Sequence, residues 1–275
     1  SLPLILYGFV AAQLGTDPAV TVEDLFLAGI LPGLLMIGLL SLYAIYKGRG
    51  LNRARRAFSS REVLSAVLDA RWELPMPIGL LAAIYGGGLA ASEAPPVTPP
   101  PVIVVTLWIR REMSFSRLGE VMAEAARMVG AILVILGAAL ALSNWLVDQE
   151  VPTHLFELIR EHVASPLAFL LLLNGFLLIV GMLLDIFAAI VILVPLLVPV
   201  AIGYGIHPVH LGILMLANLQ LGYFTPPVGM NLFIASYRFK TPIATLVRAS
   251  VPFFLILLLA VMLITYIPWL SLVWL

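Results

Sequence analysis

The chain has 275 residues, of which 62% are hydrophobic and only 11% are charged. A soluble domain carries about 25% charged residues, so this composition excludes an ordinary soluble protein and predicts one embedded in a lipid bilayer. Acidic and basic residues balance to a net charge of zero, which argues against a nucleic-acid partner. The chain has no cysteine, which excludes disulfides and thiolate chemistry.

The first part of the chain alternates apolar and polar segments. Leu2–Ala12 is apolar but reaches only about half of the ~20 residues that a spanning helix needs. An acidic linker follows, then a full-length span, Leu25–Tyr46, and then the polar, basic segment Lys47–Glu73. Pro75–Ala91 and Val97–Ile109 are two short apolar segments that we expect to cross the membrane as a pair.

The middle of the chain carries a surface segment on each side of one span. Arg110–Arg127 is basic and amphipathic, which predicts a surface helix, and Met128–Val147 is an uncharged span. Asp148–Ala164 leans acidic and is predicted to lie at the surface. Pro166–Gly203 then consists of two apolar arms, and the chain ends with a last span, Ala249–Leu275.

The distribution of basic residues predicts the orientation in the membrane. Fourteen of the fifteen Lys and Arg residues fall in three segments: residues 47–73, 110–127 and 238–248. Cytoplasmic loops collect Lys and Arg, so we expect all three segments inside the cell, separated by even numbers of crossings. Pro166–Gly203 must then enter and leave on the outer side, as a re-entrant hairpin of two half-depth arms, Leu167–Leu178 and Ile186–Val198, with its tip near Gly181–Asp185.

The stretch Ile186–Tyr237 contains no Asp, Glu, Lys or Arg but is broken by prolines. Pro226 and Pro227 lack an amide hydrogen, so we expect the carbonyls of Gly222 and Tyr223 to lose their helical partners. At membrane depth such groups persist only in protein or beside a cavity, and secondary transporters use them to hold ions and substrates. A proline-kinked helix that binds nothing is the structural alternative.

Polar side chains gather around this break. Thr225 offers a hydroxyl and a carbonyl, and Asp185 is the nearest acid at membrane depth, with a second interpretation as the cap of the arm that follows it. Glycines nearby permit close backbone approach. The predicted ion and substrate site therefore comprises ten residues: Gly181, Asp185, Asn218, Gly222, Tyr223, Thr225, Pro226, Pro227, Gly229 and Asn231.

Several features occur in an order that resembles one known family. They are Gly181 and Asp185, the pair Pro195 and Pro199, the run Gly205-Ile206-His207-Pro208-Val209-His210, Asn218, and Thr225-Pro226-Pro227-Val228-Gly229. This ordered set is similar to the C-terminal half of the large membrane subunit of tripartite ATP-independent periplasmic (TRAP) transporters. The resemblance extends more loosely over nearly the whole chain.

The resemblance implies an all-α integral membrane protein of the bacterial inner membrane, an inverted-repeat elevator with a re-entrant hairpin and broken helices. It also implies Na⁺ as the coupling ion, bound near Asp185 and Thr225, no other cofactor, and import of an organic acid. The implied partners are a small membrane subunit, a periplasmic substrate-binding protein and the lipid bilayer. No nucleophile–base pair, carboxylate dyad or phosphate loop in the sequence suggests an enzyme.

An internal repeat agrees with this architecture. The letters PPVGMNLFIA and LVRASVP align with SLPLILYG and FLAGILP at the start of the chain, and the charge pattern gives the two copies opposite directions. We therefore expect three divisions. They are residues 1–46, a remnant of the first repeat; residues 47–164, a cytoplasmic basic loop with scaffold spans; and residues 165–275, the second repeat, with its helix broken at 222–229.

Two further expectations follow from the elevator. Thr21–Leu27 and Thr241–Arg248 would be arm helices that join the moving domain to the scaffold. His207 and His210 have no third metal ligand nearby, so we expect them at the outer interface.

The alignment leaves other interpretations open. Ser1 follows directly on the position of the double proline, so the first hairpin and the spans before it are expected upstream, on another chain, or lost from this protein. One alternative is a transport-inactive accessory or structural subunit of a larger membrane complex. Another is a symporter of the related divalent-anion/sodium superfamily.

Overall fold

The computed structural model describes residues 2–49, 59–86, 88, 94–163, 165–226 and 229–275. All regular structure within these ranges is helical. The helices are α1 (Leu2–Gln13), α2 (Val22–Ala28), α3 (Ile30–Arg49), α4 (Ser60–Asp69), α5 (Pro75–Tyr85), α6 (Ala94–Val97), α7 (Pro99–Val104) with a π-helical turn (Val105–Ile109), α8 (Phe115–Asp148), α9 (Val151–His162), α10 (Pro166–Leu183), α11 (Ile186–Gly203), α12 (Pro208–Gly222), α13 (Met230–Phe239), α14 (Ile243–Tyr266) and α15 (Trp269–Leu272).

Within the described ranges, four helical segments are long and apolar enough to cross a membrane: Val22–Arg49, Pro166–Leu183, Ile186–Gly203 and Ile243–Tyr266. Contacts divide the chain into two compact units. One unit contains Ser1–Gly50 and Leu133–Leu275, and the other contains Leu51–Ile132.

The smaller unit contains an ion pair near the end of the π-helical turn. Arg110 approaches the Glu73 carboxylate to 2.7 Å and also donates to the backbone carbonyl of Asp69. Both side chains are substantially exposed, so the pair itself contributes little to stability. Its effect is to fix the end of α4 against the turn.

The core of the larger unit forms where α1 packs on α11 and α12. Tyr7 of α1 is fully buried, and its hydroxyl donates to the carbonyl of Pro208 at 2.6 Å. Its ring lies flat against Gly212, where a Cβ atom would stand 2.5 Å from a ring carbon. Gly212 is therefore required for α1 and α12 to come this close.

The two segments that align as repeats have a similar order of elements. Thr21 caps α2 by accepting from the amide of Asp24, and α3 follows after Gly29. In the second segment Ile243–Arg248 is not a separate helix but the start of the continuous helix α14. No glycine separates an arm from the span there. The role of either segment as an arm stays a prediction. The two long helices pack together through an edge-to-face pair, Tyr43 and Phe253, with ring centres 5.2 Å apart.

The segment predicted as a surface helix followed by a separate span is also continuous. Helix α8 runs for 34 residues from Phe115, with Ser114 accepting from the amide of Arg117 at its start. No proline interrupts it before Pro152, which explains why it does not break. Beyond it, α9 lays Phe156 against Gly203 at the end of α11.

Candidate functional site

Helices α10 and α11 form a pair joined by Leu184 and Asp185, close to the predicted tip. Each helix has 18 residues, so the predicted arms, Leu167–Leu178 and Ile186–Val198, were too short. Judged by length and composition alone, α10 and α11 are each long enough to cross a bilayer. The half-depth placement of the hairpin therefore stays a prediction.

The direction of the helices bears on that prediction. Asn174 of α10 contacts Asn218 of α12, and further along both helices Gly181 contacts Gly222, so α10 and α12 run parallel. The hairpin tip and the end of α12 consequently lie at one level. Helix α14 passes Asn174 at Thr265 and extends about 33 Å from there to its start, at 1.5 Å per residue. From Asn174, α10 continues for nine residues to Leu183, so along its own axis it extends less far than α14 does.

The tip and the break meet at two glycines. A Cβ atom on Gly222 would stand 2.6 Å from the Cα of Gly181, and one on Gly181 would stand 3.0 Å from the Cα of Leu219. No side chain fits between these backbones. Helices α10 and α12 therefore cross here with main chain against main chain, as small residues allow inside membranes.

The amide donors at the start of α11 are all taken by protein groups. One oxygen of Asp185, Oδ1, accepts from the amides of Phe187 and Ala188 at 2.9 and 3.1 Å. The amide of Ile186 donates to the hydroxyl of Tyr223 at 2.5 Å. Asp185 is thus a helix cap in this structure, while its second carboxylate oxygen takes part in neither bond.

The break itself differs from the expectation in one respect. The carbonyl of Gly222 is not free, because it accepts from the amide of Thr225 at 2.9 Å in a tight turn. The hydroxyl of Thr225 donates back to the carbonyl of Leu221 at 3.1 Å. Pro226 is exposed, and Pro227 lies outside the described residues.

Gly229 closes the break from the other side. Its φ of +43° lies in the left-handed region that favours glycine. A Cβ atom there would also stand 2.8 Å from the carbonyl oxygen of Thr225. Helix α13 begins at the next residue, with no side-chain cap.

The structure therefore brings the predicted residues together in part. Gly181, Asp185, Gly222 and Tyr223 meet at the tip, and Thr225 meets Gly229 at the break. Asn218 lies one turn before Gly222 and is fully buried against Asn174. Asn231 is half-buried in the first turn of α13, and no described hydrogen bond joins its side chain to the others.

Sequence reasoning missed a buried polar cluster behind the tip. It joins Asn174, Asn218 and Thr265. A polar amide within the otherwise apolar α10 is the signal that would have pointed to Asn174.

The cluster continues to His210, which is only 2% exposed, so its predicted position at the interface is wrong. The imidazole bonds to Ser271 Oγ at 2.6 Å and lies 3.3 Å from the carbonyl of Thr265.

Comparison with known proteins identifies the family. The family model "Tripartite ATP-independent periplasmic transporter, DctM component" matches residues 1–270. The chain belongs to this family. The resemblance and the all-α membrane fold class expected from the sequence are thereby confirmed. As a DctM-family chain it is a multi-pass protein of a bacterial inner membrane, from a family of transporter components rather than enzymes.

Three relatives show the range of the family. The chain is 35% identical over 254 residues to the C4-dicarboxylate TRAP transporter large permease protein DctM of Pseudomonas aeruginosa, covering 92% of this chain and 59% of that protein. It is 34% identical over 270 residues to the isethionate TRAP transporter permease protein DctMQ of Oleidesulfovibrio alaskensis, covering 98% and 41%. It is 31% identical over 271 residues to the sialic acid TRAP transporter large permease protein SiaM of Vibrio cholerae, covering 98% and 61%. The chain thus spans less than two thirds of these relatives.

Proposed function

We propose that this chain is the C-terminal part of the large membrane subunit of a Na⁺-coupled secondary transporter that imports an organic acid. The observation that carries the proposal is the meeting of the hairpin tip with the helix break, where Gly181 touches Gly222 and Tyr223 bonds to Ile186. Broken helices and tips of this kind are what secondary transporters use for ions and substrates.

The relatives support the substrate class. Their names refer to isethionate, C4-dicarboxylates and sialic acid, all of which are organic anions. An anion requires a positive partner in the membrane, either a cation or the amino end of a helix. We expect the substrate of this chain to carry at least one carboxylate or sulfonate group.

The residues at the break fit a sodium ion. Thr225 supplies a hydroxyl oxygen and a carbonyl, the second oxygen of Asp185 supplies negative charge, and the backbone of Tyr223 adds a carbonyl. The two facing glycines leave main-chain atoms rather than side chains at the contact, and the carbonyl oxygen of Leu219 is among them. Na⁺ at such sites is held by unwound backbone carbonyls. The amide group of Asn218 is turned toward Asn174.

Two helices begin at this site, and they differ in what they offer an anion. The amides at the start of α11 are occupied by Asp185 and Tyr223. Helix α13 begins at Met230, and the residue before it, Gly229, has no side chain to cap it. We therefore assign the substrate carboxylate to the amino end of α13, where the helix carries partial positive charge.

The transport cycle we propose is an elevator. The bonds of Thr265 to Asn174 and of His210 to the carbonyl of Thr265 tie α14 to α10 and α12, so these helices would move as one domain. A small membrane subunit, a periplasmic substrate-binding protein and the part of the large subunit that carries the first hairpin would complete the transporter.

Uptake into proteoliposomes tests this function. The intact permease is reconstituted with its small subunit, and uptake of labelled isethionate, succinate and sialic acid is measured with and without candidate binding proteins. We expect uptake of one of these acids to need both an inward Na⁺ gradient and a binding protein. Uptake that is the same with K⁺ in place of Na⁺ would reject sodium coupling, and absence of any uptake would favour an accessory subunit.

A further inference from the structure

A buried polar cluster joins three helices behind the tip, two helical turns before Gly181 on α10 and one turn before Gly222 on α12. Asn174 of α10, Asn218 of α12 and Thr265 of α14 are all fully buried. Asn218 Nδ2 donates to Asn174 Oδ1 at 2.6 Å, and Asn174 Nδ2 donates to Thr265 Oγ1 at 3.1 Å. None of the three side chains carries a charge.

Backbone carbonyls fix the orientation of both amides. Asn174 Nδ2 lies 2.8 Å from the carbonyl oxygen of Leu170, so this atom must be the nitrogen, and Asn174 Oδ1 must face Asn218. The Asn218 atom opposite lies 2.9 Å from the carbonyl oxygen of Leu214 and 2.6 Å from Asn174 Oδ1. It faces two acceptors, so it must also be the nitrogen, and a turned amide would place oxygen against oxygen.

This orientation leaves Asn218 Oδ1 as a buried acceptor. In the part of the chain that the structure describes, no donor reaches Asn218 Oδ1, although the atom is buried. A buried acceptor without a donor is costly, which calls for a bound donor. A cation fits poorly, because the two amide NH₂ groups lie in the same cluster and none of the described hydrogen bonds of the cluster involves a carboxylate. A water molecule is the neutral donor that polar buried sites hold.

We infer that Asn218 Oδ1 binds one ordered water molecule and that Asn218 is a positioning residue for the ion site, a role that rests on the function proposed above. Asn218 and Gly222 are four residues apart and share one face of α12, and Asn174 and Gly181 share one face of α10. The pairing of the two asparagines therefore sets the register in which the two glycines meet.

Asn218→Leu in the intact permease tests both the bound water and the positioning role of Asn218. Leucine has a similar volume but neither donates nor accepts, so we expect a lower melting temperature. The half-saturating Na⁺ concentration should rise roughly three- to tenfold while the maximal uptake rate stays within about twofold. Ser250→Ala is the matched control, because the Ser250 hydroxyl only bonds back to Leu246 of its own helix. A high-resolution structure of the wild type should show the water about 3 Å from Asn218 Oδ1.

Each part can fail separately. A structure with no water at Asn218 Oδ1 would contradict the inferred water site. An Asn218→Leu variant as stable as the wild type would contradict it too. A destabilised variant with unchanged Na⁺ half-saturation overturns the positioning role. If wild-type uptake does not depend on Na⁺, the proposed function and the positioning role fail together, while the melting temperature and the structure still decide the water site.

Discussion

Gly181 and Gly222 are in direct backbone contact, with the Cα of Gly181 2.6 Å from the place where a Cβ of Gly222 would lie. The contact joins two helices that are separated in sequence by the whole of α11. It sets how closely the hairpin tip approaches the end of α12. Everything proposed for the site depends on this distance.

Gly222→Ala tests the contact. The added methyl group must push α10 away from α12, because backbone atoms and not a flexible side chain stand in its place. Overpacking of this kind costs about 1–3 kcal/mol, and we expect a matching fall in the thermal stability of the purified permease. Gly175→Ala on α10 is the control, since nothing lies within 4 Å of its Cβ position. Equal stability of the two variants would contradict the contact.

Tyr223→Phe tests the bond between the break and the tip. The variant keeps the ring but leaves the amide of Ile186 without its acceptor, a loss of about 0.5–1.5 kcal/mol. Hydrogen exchange at residues 184–188 should become roughly fivefold faster, since about 1 kcal/mol corresponds to that factor in local opening. Tyr204→Phe removes a comparable bond to Val163 away from the tip and should leave this exchange unchanged. Identical exchange in both variants would mean that Tyr223 does not hold the tip.

The sequence predicted where the helices begin and end better than it predicted the hydrogen bonds of individual side chains. Asp185 before an apolar run indicated a helix start, and the turn between α10 and α11 lies there. The apolar segments predicted at Leu2–Ala12 and Leu25–Tyr46 correspond closely to α1 and α3. These features depend on residues close together in sequence, where capping and proline rules apply directly.

Two of the three missed features depend on residues far apart in the chain. Asn174 and Asn218 are 44 residues apart, and neither shows its partner in a single sequence. The carbonyl of Gly222 was expected to be free because the proline rule considers only the helical partner, four residues on. The chain instead closes a shorter turn with Thr225. His210 was expected at the interface because no third metal ligand lies nearby in the sequence, yet α14 and α15 cover it.

Acid should weaken the start of α12. His207 caps this helix by accepting from the amide of Val209, which requires an unprotonated Nδ1. Burial lowers the pKa of His207 below its ordinary value, with the Asp24 carboxylate acting in the opposite direction. A lowered pKa means that the folded state binds fewer protons. The stabilisation is therefore complete above the ordinary pKa of about 6.5 and is lost as the pH falls below it.

His207→Asn should remove that dependence. Asparagine can accept the same amide bond but does not titrate in this range. We expect the melting temperature of the wild type to fall between about pH 7 and pH 5 by more than that of the variant. If the melting temperatures of the two proteins change equally with pH, protonation of His207 is not coupled to unfolding.

The orientation in the membrane can be tested by labelling. The wild-type chain has no cysteine, so single cysteines can be introduced without background. With the basic segments inside, a cysteine at Asn52 should react only from the cytoplasmic side and one at Gln149 only from the periplasmic side. Periplasmic labelling of both positions would overturn the topology.

The ion site is the last prediction, and it separates the charge of Asp185 from its role as a cap. Asp185→Asn keeps an oxygen for the amides of Phe187 and Ala188, because asparagine caps helices as well as aspartate does. The variant should therefore fold with nearly unchanged stability, whereas Asp185→Ala should lose about 0.5–2 kcal/mol. If the carboxylate also serves Na⁺, Asp185→Asn should raise the half-saturating Na⁺ concentration. Removing one ligand costs about 1–3 kcal/mol, which corresponds to a roughly 5- to 150-fold weaker apparent affinity.

Thr225→Val completes the argument by removing a hydroxyl ligand without changing the shape of the side chain. We expect a similar weakening, since the carbonyl of Thr225 remains but its hydroxyl oxygen does not. Thr241→Val is the control, because the Thr241 hydroxyl is exposed and bonds only to the carbonyl of Phe239. The measurement is Na⁺-dependent uptake by the intact permease at fixed substrate and binding protein. If Asp185→Asn and Thr225→Val both keep the Na⁺ dependence of the control, the coupling ion binds elsewhere, and the meeting of the tip and the break is a packing contact.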